Sequence, residues 1–134
     1  MSITTNRRIV FVCVENSCRS QIAEAFGKMY AGPNVDVFSA GSRPSGQVNP
    51  KAIASMAEIG YDLSAHGSKS LDDLPRVEFD YAVTMGCGDE CPHLQARVRL
   101  DWGIPDPKHL PMEEFRKVRE LIALKVRDLL ANLG

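Results

Sequence analysis

The chain predicts an α/β fold: a single domain over residues 1–134, built on a four-stranded parallel sheet with helices on both faces. Three observations carry this expectation. Strand-type and helix-type hydrophobic periods alternate along the chain. A β-branched run from Ile9 to Val12, with Val14 beyond Cys13, passes through a polar turn directly into an amphipathic helical pattern. The composition, 44% hydrophobic and 25% charged over 134 residues, is that of a globule long enough to bury a core.

After a polar lead-in, the first strand starts at about Arg8. The first helix runs from Cys18 to Tyr30, with Ile22, Phe26, Met29 and Tyr30 on its apolar stripe, Glu24 and Lys28 flanking it, and Gly32-Pro33 as its stop. Val35 to Ala40 forms a second short strand, closed by Gly41, Pro44 and Gly46. Asn49 caps a second helix that has Pro50 in its first turn and turns Ile53, Met56, Ala57 and Ile59 inward until Gly60. Residues 61–67 connect to a short turn of helix that Ser70 caps and Pro75 ends. Phe79 to Met85 is the third strand, 86–92 a loop, and Arg97 to Trp102 an alternating, edge-like fourth strand. A segment with three prolines, 103–111, leads into a long helix over Met112 to Leu133. Its apolar positions are Phe115, Val118, Leu121, Ile122, Leu124, Leu129 and Leu130; Glu113, Glu114, Arg116, Lys117, Arg119 and Glu120 form a solvated face.

A net charge of −1 argues against sequence-independent nucleic-acid binding, which needs a strongly basic face. No run approaches the ~18 apolar residues of a membrane span. Arg7-Arg8 followed by Ile9 to Val14 is too short for a secretion signal, so the expected location is the cytoplasm. In that reducing compartment the four cysteines, at 13, 18, 87 and 91, read as catalytic or metal-binding rather than as static staples.

The chemistry gathers in residues 13–20, CVENSCRS. Cys13 ends the strand and Arg19 opens the helix. Between them, backbone N–H groups from Val14, Glu15, Asn16, Ser17 and Cys18 can turn inward around an anion, with the helix N-terminus aimed at the same spot. Arg19 closes the cradle with a bidentate fork. The same field favours the thiolate form of a cysteine, and Ser20 can donate a further hydrogen bond to it. In parallel sheets ligands bind beyond the carboxyl ends of the strands. The loops carrying Cys13, Cys87 and Asp106 all leave that edge.

The motifs CVENSCRS, FSAG and DWGIPDP resemble the low-molecular-weight tyrosine phosphatase fold, and specifically the arsenate reductases built on it, over nearly the whole chain. The resemblance implies Cys13 as nucleophile, Arg19 as oxyanion ligand, Ser20 as support for the thiolate and Asp106 as general acid. It also implies Cys87 and Cys91, on GCGDECP, as a resolving pair whose disulfide is reduced by thioredoxin or another thiol reductant. Cys87 would attack Cys13, Cys91 would attack Cys87, and Cys18 would be structural. Arsenate is the implied substrate, with phosphate or sulfate as competing oxyanions. The runner-up is a phosphatase working through a phosphocysteine, but Lys108 stands where phosphatases of this fold usually carry a tyrosine after Asp-Pro.

Several such reductases bind potassium beside the anion loop. Asn16, Glu24 and Ser39 match that site, whereas Gly67 and Lys69 do not, so no cofactor is expected and the Lys69 ammonium can replace the ion. A structural zinc module is a remote alternative, because the spacings of Cys13 with Cys18 and Cys87 with Cys91 fit C-x2-C knuckles poorly. His66, His93 and His109 read as surface or capping residues. Trp102 reads as packing against the Asp106 loop, and Met29, Met56 and Met85 as core fillers.

Overall fold

The computed structural model describes residues 6–86 and 94–133. Cys87 and Cys91, with Asp89 and His93, lie outside the described residues. The elements are β1 (Arg7–Cys13), α1 (Arg19–Tyr30), β2 (Val35–Gly41), α2 (Pro50–Ala57), two 3₁₀ turns (Leu63–Ala65 and Leu71–Asp73), β3 (Phe79–Thr84), β4 (Ala96–Asp101) and α3 (Met112–Ala131). The four strands form one parallel sheet in the order β2-β1-β3-β4. The chain leaves β1 for β2 on one side and returns to β3 on the other, so a switch point opens beyond the carboxyl ends of β1 and β3. Cys13 and Met85 stand there, joined by a bond from the Met85 amide to the Val12 carbonyl (3.1 Å).

The period of β1 sorts its side chains between two cores. Ile9, Phe11 and Cys13 join the larger one, with Ile22 and Phe26 of α1, Ala52 and Met56 of α2, and Phe115, Ile122 and Val126 of α3. Val10 and Val12 join a smaller one with Phe79 and Ala82, covered by Phe38, Leu74, Val77 and Leu94. All three α-helices therefore contribute to one core, while the second 3₁₀ turn leads onto the opposite face. Phe11, Phe26, Phe79 and Phe115 are buried almost completely; truncating one to alanine costs about 3–5 kcal/mol on the usual scale.

The local signals act as expected. Asn49 caps α2 by accepting from the Lys51 amide (2.8 Å), with Pro50 in the first turn. Ser70 and Asp73 form a capping box around the second 3₁₀ turn. β4 pairs with β3 alone and is largely exposed, as an edge strand should be.

Other positions correct the sequence reading. α2 ends at Ala57, so Ala57 and Ile59 face solvent, and Ser55 is buried with Ala52 and Met56 instead. Met29 lies at the solvated end of α1 and is exposed, while Glu24, expected beside the apolar stripe, is buried. Leu121 and Leu124 are exposed on α3; the buried stripe is Phe115, Val118, Ile122, Ala123, Val126 and Leu129. Arg119 is buried rather than solvated, because it donates to the Ser55 carbonyl and the Glu58 carboxylate (2.7 Å each) and ties α3 to the end of α2. Trp102 packs on Phe11 (ring centroids 5.6 Å apart) with Lys125 of α3 over its ring.

Candidate functional site

The loop after Cys13 is held open by what surrounds it. The carbonyls of Val14, Glu15 and Ser17 accept from the amides of Arg43 (2.9 Å), Ser45 (3.0 Å) and Asn49 (2.8 Å) on the segment after β2. A trans peptide sets each N–H opposite the preceding carbonyl, so these outward carbonyls turn the amides of Glu15 and Cys18 toward the centre of the loop. Gly41 makes the fit possible: a Cβ there would lie 2.4 Å from the Val14 carbonyl oxygen. At the far end of the loop α1 starts without a side-chain cap, its first amides and the positive end of its dipole directed at the same space.

Behind the loop lies a buried polar network centred on Asn16, whose φ of +49° suits asparagine better than most residues. Its Oδ1 accepts from the Lys69 amide (2.7 Å), which fixes the orientation of the side-chain amide. Its Nδ2 therefore donates to Ser20 Oγ (2.8 Å) and Ser39 Oγ (3.0 Å). The Ser20 oxygen is thus already an acceptor, and its own hydrogen is free for Cys13 Sγ, 2.8 Å away. That polarity aims a hydroxyl donor at the sulfur.

Gln21 extends the chain outward. Its Nε2 donates to Asn16 Oδ1 (2.8 Å) and the Gly67 carbonyl (2.8 Å), so its Oε1 must accept from His66 Nδ1 (3.0 Å). His66 is consequently protonated on Nδ1 and accepts from the Tyr61 hydroxyl on Nε2 (2.6 Å). Burial lowers the His66 pKa below its ordinary value, so its approach to Glu24 (3.6 Å) is not an ion pair at neutral pH. His66 is thus a buried bridging ring rather than the surface or capping residue expected; His109 is exposed.

Burial alone would raise the Glu24 carboxyl, but hydrogen bonds from Lys28, Ser39 and Lys69 outweigh it and hold the group below the usual carboxylate range. Ser39 Oγ donates to Glu24 at 2.5 Å, and Lys69 Nζ reaches both Glu24 (3.0 Å) and the Gly67 carbonyl (3.2 Å). A potassium ion does not fit these residues, because an ammonium already stands between the carboxylate and the carbonyl.

On the open side, Cys13, Val14, Glu15, Ser17, Cys18, Arg19, Asp106 and Lys108 line a pocket of about 230 Å³. Arg19 Nη1 donates to the carbonyls of Met85 (2.6 Å) and Ile104 (2.9 Å), the first residues beyond or near the ends of β3 and β4. This leaves Nε and Nη2 as the edge able to take an anion in bidentate fashion. Nη2 also lies 3.8 Å from Asp106 Oδ2. Burial first, and the Asp106 charge second, push the Cys18 thiol well up, so it stays protonated at neutral pH.

Seven of the expected site residues thus meet around one cavity: Cys13, Val14, Glu15, Ser17, Cys18, Arg19 and Asp106. Asn16 and Ser20 are fully buried behind the loop, with Ser20 Oγ beside Cys13 Sγ, where a support for the sulfur is expected. Cys87 and Cys91 lie outside the described residues. Sequence reasoning missed Gln21, Gly41 and the bridging role of His66. A glutamine two residues after the motif arginine, on the face turned inward, was the only signal for Gln21.

A parallel sheet with a cysteine at its switch point, facing an arginine and a carboxylate across a small anion-shaped pocket, defines a class of cysteine-dependent oxyanion enzymes. Residues 8–134 match the profile of the low molecular weight phosphotyrosine protein phosphatases. The chain belongs to that family. It is 39% identical over 128 residues to an arsenate reductase of Staphylococcus aureus strain Newman, spanning 92% of this chain and 96% of the relative. An arsenate reductase in its phosphate-binding state superposes with a TM-score of 0.86 at 34% identity, over 96% of this chain and 99% of the other. A thioredoxin-dependent arsenate reductase of Corynebacterium glutamicum superposes with a TM-score of 0.76 at 36% identity, over 96% of this chain and 62% of that longer one.

Proposed function

We propose that the protein reduces arsenate to arsenite through a Cys13 adduct, for arsenic detoxification, with electrons supplied by thioredoxin or a similar thiol reductant. The observation that carries this reading is the Cys13 thiol at 2.8 Å from Ser20 Oγ, sharing one pocket with Arg19 and Asp106. The Cys13 thiolate attacks arsenic while Asp106 protonates the departing oxygen, which leaves as water. Arg19 and the loop amides hold the remaining oxygens. A second thiolate, from Cys87, then attacks the Cys13 sulfur. The As–S electron pair passes to arsenic, As(V) becomes As(III), and arsenite leaves behind a Cys13–Cys87 disulfide. Cys91 attacks Cys87, frees Cys13, and leaves a Cys87–Cys91 disulfide for the reductant.

The path of the chain toward Cys87 supports this order. Met85 is buried with its carbonyl on Arg19, and Gly86 has φ +91° and packs closely on the Gly103 backbone, so the described chain ends, one residue before Cys87, beside the arginine that lines the pocket. Phosphate and sulfate, tetrahedral like arsenate, act as competing oxyanions. No described helix is long and apolar enough to cross a membrane, and a cytoplasmic, reducing location suits the free thiols.

The test is arsenite production from arsenate with thioredoxin, glutaredoxin or a low-molecular-weight thiol supplied separately, alongside hydrolysis of an aryl phosphate. Peptide mapping after one turnover should find a Cys13–Cys87 disulfide accumulating in Cys91→Ser. Full cycling without Cys91 would point to an external thiol. Because the Lys69 ammonium supplies the cation beside Glu24, turnover should be the same in potassium and sodium at equal ionic strength; a severalfold gain in potassium would refute that assignment.

A further inference from the structure

The anion loop carries its own obstacle. Glu15 places a half-exposed carboxylate on the lining of a pocket that Asp106 also lines, so that Arg19 and the loop amides face two carboxylates there. An unpaired carboxylate there would repel an arriving oxyanion dianion across a distance short enough for screening to be incomplete. Lys108 answers it from 93 residues away: its Nζ lies 2.7 Å and 3.1 Å from the two Glu15 carboxylate oxygens. The pairing is prepared by the backbone. The Lys108 amide donates to Asp106 Oδ1 (3.1 Å) in a local turn around the buried Pro107, which aims the lysine stem back over the pocket. Glu15, through its hydrogen bond and its charge, raises the Lys108 pKa above the ordinary lysine value, so the ammonium stays charged over the whole working range of pH.

Exposed pairs of this kind contribute little to folding, so stability does not explain a contact that spans two of the loops lining one pocket. We propose that Lys108 is a specificity-determining residue of the oxyanion site. Its ammonium masks Glu15 so that a small inorganic oxyanion can approach, and its stem, lying along the rim, closes the pocket to the aryl group of a phosphate monoester. The inference rests on the oxyanion-enzyme reading above and deepens it, by assigning selection between inorganic oxyanion and ester to this pair.

Inorganic phosphate binding, titrated calorimetrically on Cys13→Ser protein, separates this from the reductase chemistry because no turnover is needed. In that background Lys108→Met should weaken phosphate binding about tenfold, or about 1.4 kcal/mol, by exposing Glu15. Adding Glu15→Gln to Lys108→Met should restore most of that loss. In protein with Cys13 intact, Lys108→Ala should raise kcat/KM for p-nitrophenyl phosphate relative to that for arsenate by severalfold. Unchanged phosphate affinity in Lys108→Met, a double variant as weak as the single one, or an unchanged ester-to-arsenate ratio would each overturn the assignment while leaving the oxyanion site intact. Failure of the parent Cys13→Ser protein to bind phosphate would overturn both.

Discussion

The two walls of the pocket are built on opposite principles. The anion loop is fixed from behind by buried, directional hydrogen bonds: Asn16, Ser20, Gln21 and Ser39 are all fully buried, and each has partners in the network. The facing wall, from Gly103 to Lys108, is mostly exposed, and the Asp106 side chain retains 48% of its accessible surface. It joins the first wall through the Arg19 bond to the Ile104 carbonyl (2.9 Å), the 3.8 Å approach of Asp106 to Arg19 and the Lys108–Glu15 pair. A fully satisfied buried network enforces one geometry, whereas a segment held by one hydrogen bond and two ionic contacts has more freedom to adjust. The difference suits the proposed reaction, in which one side holds a rigid tetrahedron and the other delivers a proton.

Deleting the reacting atom on the rigid wall should have the largest effect. Cys13→Ser should abolish turnover while keeping phosphate affinity, since the cradle of amides and Arg19 remains; equilibrium binding beside an arsenite assay reads both. Arg19→Ala should lose both functions. It should also destabilise the fold by roughly 1–3 kcal/mol for each buried carbonyl left without a donor, here those of Met85 and Ile104.

On the adjustable wall the effect should be kinetic only. Asp106→Asn should slow formation of the Cys13 adduct by about 100- to 10,000-fold with little change in melting temperature, as measured by single-turnover quench. Asp101→Asn should be close to neutral, because among the described residues that exposed carboxylate accepts only from the nearby Gly103 amide. Equal loss in both variants would erase the distinction between the walls.

Asn16→Ala, which touches no substrate, sharpens the contrast from behind. It takes one partner from Ser20, Ser39, Gln21 and the Lys69 amide at once; the first three keep other bonds, so the expected cost is that of the Lys69 amide left unpaired, roughly 1–3 kcal/mol, read as a shift in the denaturant midpoint. No change in stability on chemical denaturation would mean that the network does not fix the loop.

The smallest effect concerns acid. His66 has a lowered pKa in the fold, so the unfolded chain binds the proton more readily, and stability falls as pH drops below the ordinary histidine value of 6.5. Glu24 is also held low, and its contribution is lost in a second step as pH falls below 4.5. The denaturation midpoint followed against pH should show both steps, and His66→Gln should remove the first.

Much of this was legible in the chain. The alternating periods of Ile9–Val12, Phe79–Val83 and the last helix reflect a simple constraint, that each strand and helix must bury one face, and this specifies the class of fold. Cys13 and Arg19 were recognisable because a short loop between strand and helix leaves few ways to arrange them, whereas Asp106 was singled out by the resemblance carried by DWGIPDP. Tertiary structure decided what depends on neighbours remote in sequence. It buried Glu24 and Arg119, charged residues that periodicity had assigned to flanking or solvated faces, because Lys69 and Ser39 compensate the one and Glu58 and the Ser55 carbonyl the other. It placed the Asn16 side chain behind the loop, and joined His66 to Cys13 through Gln21, Asn16 and Ser20. It brought Lys108 onto Glu15 across 93 residues. Hydrophobic period is a local property of the chain, whereas the partner that makes a buried charge or a bridging ring tolerable is supplied by the assembled fold.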